Sequence, residues 1–228
     1  MHHKDMESIA VTEGGEEEEE MIRNILFDLV GVIMRFDTEG YYHAHQISPS
    51  DQALLHREVF LSLEWAMQDR GAISEEEAIE RICARVPARL HEAVQDFIYR
   101  RNRAIIPGAG MKELLTSLKD AGEKLYLLSN TSVAFHRFRH EVPGIELFDG
   151  ELISADVGLV KPDPAIFRLA CKRFGIEAYD SAFIDDTPIN AEAAQHIGMK
   201  AFVFNDDVEA LRTWLANTVK HDLGGPTS

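Results

Sequence analysis

The chain has 228 residues, 45% of them apolar and 27% charged, which suits one large domain, or a domain with a small companion, around a real core. Its formal net charge is −16, of which residues 1–20 carry −7 (Asp5, Glu7, Glu13 and Glu16 to Glu20 against Lys4), leaving −9 for the remainder. That sign repels nucleic acid and anionic lipid, so neither is an expected partner; no apolar stretch reaches membrane-spanning length, no signal-peptide core opens the chain, and a cytoplasmic location is expected.

Residues 1–21 read as an acidic, solvated leader without internal order. Ile22 to Phe27 is a short run of strand formers that stops at Asp28, with Gly31 close behind, so it predicts a buried strand ending in a tight loop. From Thr38 to Ile106 the apolar spacing is helical and no strand is evident. Ser74-Glu-Glu-Glu77 makes a capping box behind Gly71, and Pro87 interrupts the pattern. This segment, 38–106, is expected to form a compact helical insert between 22–37 and 107–220.

After Pro107 strands and helices alternate. Met111 to Ala121 is an amphipathic helix closed by Gly122, and Lys124 to Leu128 a strand that runs into Ser129-Asn130. A helix around Ser132–His140 follows, then a short strand at Leu152–Ser154. Asp163-Pro164 pairs an N-cap with proline at the first helical position, opening a helix to Phe174 with Gly175 beyond it. Ser181 to Ile184 is a strand ending at Asp185-Asp186. Asn190 to Ile197 is a helix, Ala201 to Phe204 a strand, Val208 to Thr218 a last helix, and 221–228 a loose tail. The alternation predicts an α/β fold with a doubly wound parallel sheet, and such sheets bind ligands beyond their carboxyl strand ends. Asp28, Ser129-Asn130 and Asp185-Asp186 all fall at such ends.

Three carboxylates at one edge repel one another unless a cation joins them, and an all-oxygen set suits Mg²⁺. A carboxylate beside such an ion can attack phosphorus, with fixed donors and a cation on the phosphoryl oxygens. Ser129, Asn130 and Lys161 are suited to that work, and Lys161 lies in an extended segment because Pro162 follows it. Taken singly, each has a plainer reading: Asp28 a turn residue, Ser129-Asn130 a helix cap, Lys161 a surface lysine.

Four segments together change that balance: Asn24-Ile-Leu-Phe-Asp-Leu-Val-Gly-Val-Ile33, Leu127-Leu-Ser-Asn-Thr131, Gly158-Leu-Val-Lys-Pro162 and Phe183-Ile-Asp-Asp-Thr-Pro-Ile-Asn190. In order and spacing they resemble the four motifs of the haloacid-dehalogenase (HAD) superfamily, over about residues 22 to 205. The resemblance implies a Rossmann-like core with a small α-helical cap and a Mg²⁺-dependent phosphatase acting on a small phosphorylated molecule. Asp28 would be nucleophile and metal ligand, the Val30 carbonyl a second ligand, and Asp186 a third. Asp185 would act through water, Asn190 would orient the loop, Ser129 and Asn130 would hold the phosphoryl group, and Lys161 would balance its charge. Glu64 to Ser74 resembles a cap segment of the branch that includes sugar-1-phosphate phosphatases, making Trp65 and Arg70 candidate substrate contacts.

The departure is at Val30, where most family phosphatases carry a second Asp that serves as acid and base, help typically worth roughly 100- to 10,000-fold. Either the leaving group departs without a proton, or Asp185, Asp37 or a cap residue supplies one. Two other activities compete: carbon–halogen hydrolysis by Asp28, for which the missing acid is harmless but a metal-suited Asp pair has no use, and a catalytically impaired binding or regulatory protein. His43 with His45, and His136 with His140, read as solvated or packing residues, since no third metal ligand is evident. Cys83 and Cys171 read as core thiols.

Overall fold

The computed structural model describes residues 22–219, with the side chain of Asn102 excepted; the expected acidic leader and the expected loose tail lie outside the described residues. Seven strands are present: β1 (Asn24–Phe27), β2 (Met34–Phe36), β3 (Ile105–Pro107), β4 (Lys124–Ser129), β5 (Gly150–Ile153), β6 (Ser181–Asp185) and β7 (Lys200–Val203). Five of them form one parallel sheet in the order β5-β4-β1-β6-β7. Every residue of β1 and β6 is buried, which is what continuous apolar runs such as Ile25-Leu-Phe27 require of a sheet covered on both faces.

The covering helices are α6 (Met111–Asp120), α7 (Phe135–Phe138), α8 (Ser154–Val157), α9 (Pro164–Phe174), α10 (Pro188–His196) and α11 (Val208–Ala216), numbered after five in the insert. One sheet face packs Ile25, Phe27, Leu125 and Leu127 against Leu114, Leu118, Leu211 and Leu215. The other packs Leu26, Leu128 and Phe183 against Ile166, Phe167 and Ala194. The expected doubly wound α/β core is therefore present. Asp163 caps α9 as its sequence predicts, its carboxylate accepting from the Ala165 N–H at 2.9 Å, with Gly175 left-handed at the far end.

The insert holds α1 (Thr38–Ala44), α2 (Pro49–Leu55), α3 (Leu63–Asp69), α4 (Glu75–Cys83) and α5 (His91–Tyr99) around its own core of Tyr41, Leu55, Val59, Ile82, Val94 and Phe97. Ser74 accepts the Glu77 N–H at 3.1 Å, the first half of the predicted capping box. Glu77 itself pairs with Arg81 rather than turning back.

Two local expectations differ from the fold. β2 and β3 form an antiparallel ribbon, Met34 opposite Pro107 and Phe36 opposite Ile105, that carries the chain into the insert and out again. Strand structure thus begins at Ile105, inside the segment read as wholly helical. The helix expected over Ser132–His140 contracts to α7 and a 3₁₀ turn at Arg139–Glu141, since Pro143 and left-handed Gly144 stop its continuation. Cys83 and Cys171 are free and half-buried. Among the described residues no helix is long and apolar enough to cross a membrane.

Candidate active site

Asp28 sits one residue past β1, its N–H donating to the Ile184 carbonyl at 2.9 Å, so the neighbouring strand β6 fixes where the carboxylate emerges. The next central strand end delivers Ser129, and β6 delivers Asp185 and then Asp186. Parallel strands in register place all of these at one sheet edge.

Lys161 organises the buried part of the site. Its ammonium, fully buried, lies 2.8 Å from Asp28 Oδ1 and 2.6 Å from Asp185 Oδ2, and donates to the Leu128 carbonyl at 3.1 Å. Asn130 holds the lysine's backbone: its Oδ1 accepts the Lys161 N–H at 2.8 Å and its Nδ2 donates to the Lys161 carbonyl at 2.9 Å. The Asn130 side chain is therefore a clamp on the Lys161 loop, and its second Nδ2 proton has no bond to that loop.

The two acids at β6 have different surroundings. Asp185 is fully buried and accepts from Lys161, from the Thr187 N–H at 2.8 Å and from Asn190 Nδ2 at 3.1 and 3.2 Å. Asn190 thus ties the start of α10 to the end of β6. Asp186 faces solvent and touches Thr187 Oγ1 at 3.4 Å. Gly31 makes room for it: a Cβ there would collide with the Asp186 carboxylate, and the backbone at Gly31 has φ +97°. Oxygens of Asp28, Asp185 and Asp186 lie within 4.8 Å of one another.

Two of the three carboxylates share one buried cation while the third stands beside them, and their acidities show the imbalance. Burial pushes Asp28 up to about 6 against the opposing pull of Lys161, and Asp185 pushes it further up. Asp186 is also raised, by the partial desolvation of its solvent-facing carboxylate and then by Asp185. Burial works to discharge Lys161, but Asp28 and Asp185 outweigh it and hold the ammonium above its usual range. The set of hard oxygens, its excess negative charge and the glycine cradle under Asp186 fit a Mg²⁺ ion held by Asp28 and Asp186. Asp185, saturated by its own donors, fits the outer position expected of it.

Ser129 is 1% exposed, and its Oγ has no hydrogen-bond partner. A buried hydroxyl left unpaired is uncommon and marks a place where a polar ligand belongs. Val30 is half-buried and packs on the core cluster that contains Ile25 and Phe27, so its bulk stays off the acidic loop. Trp65 and Arg70 lie on and just after α3. The Trp65 ring packs on Phe36 and Phe60 with the Arg101 guanidinium 3.8 Å from its centroid, while Arg70 is exposed at the helix end. His136 pairs with Asp156 at 3.0 Å and His45 bonds the Tyr41 carbonyl at 2.9 Å, consistent with the packing roles read for those pairs.

The reading from sequence missed how the insert is fastened over this edge. The Ser154 hydroxyl donates to the Asp69 carbonyl and accepts the Thr131 N–H at 2.9 Å. A Cβ on Gly71 would strike the Ala155 carbonyl, so the turn after α3 lies flat on the core. Arg137 forks onto Glu75 and also donates to the Tyr99 carbonyl at 2.9 Å. Beneath that turn, buried Arg101 donates to Asp69 Oδ1 at 3.2 Å and to Gln68 Oε1 at 2.6 Å. None of these pairs is close in sequence, so no local pattern announces them.

The family model for haloacid dehalogenase-like hydrolases matches residues 22–198. Curated relatives include a drimenol cyclase of Aspergillus calidoustus, 26% identical over 84% of this chain. The chain spans only 36% of that protein's length. A sesquiterpene phosphatase of Aspergillus oryzae is 28% identical over 63% of this chain and 74% of its own. An (S)-2-haloacid dehalogenase of Pseudomonas is 28% identical over 78% of this chain and 82% of its own. Among solved structures, a HAD family enzyme of Bacteroides thetaiotaomicron, in complex with magnesium and inorganic phosphate, superposes with a TM-score of 0.65 at 24% identity, covering 83% of this chain and 98% of that one. That likeness is one of fold.

Proposed function

The chain belongs to the haloacid dehalogenase-like hydrolase family, and from that premise we propose that it is a Mg²⁺-dependent, cytoplasmic phosphatase, hydrolysing a small phosphorylated metabolite such as a sugar phosphate through an aspartyl-phosphate on Asp28. The observation that carries this reading is the division of labour among the acids: Lys161 bridges Asp28 and Asp185, while Asp186 stands apart in the Gly31 cradle with its carboxylate free for a cation.

Asp28 attacks phosphorus with the oxygen not held by Lys161. The ammonium keeps that carboxylate charged in spite of its burial and faces the phosphoryl oxygens as they gain charge. Ser129 supplies a buried hydroxyl already stripped of water, and Asn130 fixes the Lys161 loop that the ammonium depends on. Asp185 and Asn190 hold the lysine and the acidic loop in place. Asp28, Asp186 and the Val30 carbonyl would hold Mg²⁺, which would supply positive charge to the transferring group. The insert is fastened over this edge through Ser154, and Trp65 and Arg70 on it are the candidate substrate contacts.

The test is a panel of phosphorylated metabolites with Mg²⁺, including sugar phosphates and apolar-chain phosphates of the kind the sesquiterpene relative suggests. Activity should vanish with chelator and in Asp28→Asn, and beryllium fluoride should give a metal-dependent adduct on Asp28. No adduct and no activity on any phosphate would overturn the reading. Val30 favours one second reading, carbon–halogen hydrolysis, because halide leaves without a proton. Halide release that continues without Mg²⁺ would establish it.

A further inference from the structure

We propose that Asp69, on the helical insert, is the proton donor and acceptor for this reaction, filling the role for which position 30 offers only valine; this rests on the Asp28 phosphatase reading.

The structure removes the other carboxylates considered for the task. Asp185 is fully buried with both oxygens committed to Lys161, Thr187 and Asn190. Asp37 caps α1, accepting the Gly40 N–H at 3.0 Å. Asp186 sits in the metal cradle. Asp69 is tied through its backbone to the strand-end edge that carries Ser129. Its backbone carbonyl is one hydroxyl, that of Ser154, away from Thr131, which lies two residues beyond the unpaired Ser129. The Gly71 turn beside it is seated on Ala155, so the attachment is rigid rather than a chance approach of a loop.

The surroundings suit a group that changes protonation. Arg101, 3% exposed, lies behind it at 3.2 Å, and the Asp69 side chain, at 15%, is the more open partner. The charged and polar groups that act on it are Arg101 from the return segment, the Trp65 indole from its own helix, and Lys161 from the core. Burial outweighs all three and pushes Asp69 up to about 6, so both forms are populated near neutrality. The influence of Lys161 places Asp69 within electrostatic reach of the ammonium that touches Asp28.

The chemistry balances. As Asp28 oxygen bonds to phosphorus, the bond from phosphorus to the leaving oxygen breaks, and that oxygen takes its electron pair and the Asp69 proton. Water then attacks phosphorus, giving one proton to the Asp69 carboxylate, while the bond to Asp28 breaks. Orthophosphate leaves and Asp69 is protonated again.

The experiment compares Asp69→Asn with the unaltered protein on an alkyl phosphate, whose alcohol needs a proton, and on p-nitrophenyl phosphate, whose phenolate does not. Loss of a general acid should lower the alkyl rate about 100-fold or more while leaving phosphoenzyme formation from the aryl ester within about threefold. Because the acceptor for the water proton is also gone, the aryl ester should give a burst followed by slow turnover. The unaltered protein provides a check that needs no variant: its alkyl-to-aryl rate ratio should fall about tenfold per pH unit above about pH 6, everything shared with Asp28 cancelling. An equal loss on both esters without a burst, or a ratio flat with pH, would overturn the assignment of Asp69 alone. An unaltered protein without Asp28-dependent turnover of either ester would instead overturn the phosphatase reading beneath it.

Discussion

Lys161→Met removes the cation buried between Asp28 and Asp185 while keeping the length and apolar stem of the side chain. At 2.8 and 2.6 Å, and with an effective dielectric constant near 20, each contact is worth about 6 kcal/mol of gross attraction, most of it offset by the desolvation of the charges. What the variant feels is the cost of stranding two buried carboxylates, about 3–5 kcal/mol for breaking such a pair. For a chain of this size that is a fall in Tm of roughly 6–20 °C. The assay is thermal unfolding of the metal-free protein at pH 7, for Lys161→Met, for Asp28→Asn and for both together. The carboxylate stranded by the first substitution is neutralised by the second, so the double variant should melt above Lys161→Met. A fall equivalent to less than about 1 kcal/mol would refute the reasoning. So would a double variant that melts lower still, since it would mean that the charges were never coupled.

Two further outcomes follow from the same geometry. Asp28 and Asp69 are both raised from 3.8 to about 6, so the folded protein holds protons that the unfolded chain releases, and the stability of the metal-free protein from these groups falls as pH rises through about 4 to 6. Asp28→Asn should flatten part of that fall in a melting series across the window. Gly31→Ala should cost about 1–2 kcal/mol from its left-handed backbone and should displace the Asp186 carboxylate, so the rise in Tm on adding Mg²⁺ should largely disappear in the variant.

The strands of the parallel sheet and the helices that cover it were legible because their signals are local. Ile25 to Phe27 is apolar throughout because both faces of its strand are covered. Asp163-Pro164 and Gly175 bracket a helix through bonds made within it. The four motifs were legible for a related reason: three are strand ends with their loops, which parallel registration brings to one edge, and the one that carries Lys161 is the loop between α8 and α9. The sequence therefore determined which residues meet at that edge, Asp28, Ser129, Lys161, Asp185 and Asp186 among them.

Tertiary structure alone decided what those neighbours do to one another and what the insert adds. That Asn130 clamps Lys161 depends on a contact 31 residues distant, and the Asp69–Arg101 pair spans 32. The three-residue strands β2 and β3 exist only as partners across the whole insert. Side-chain pairing and burial are properties of the packed chain, and an ionisable group's charge is set by whatever surrounds it in three dimensions. Composition and spacing fix the backbone that carries an acid, and folding supplies the neighbours that decide whether the acid keeps its proton.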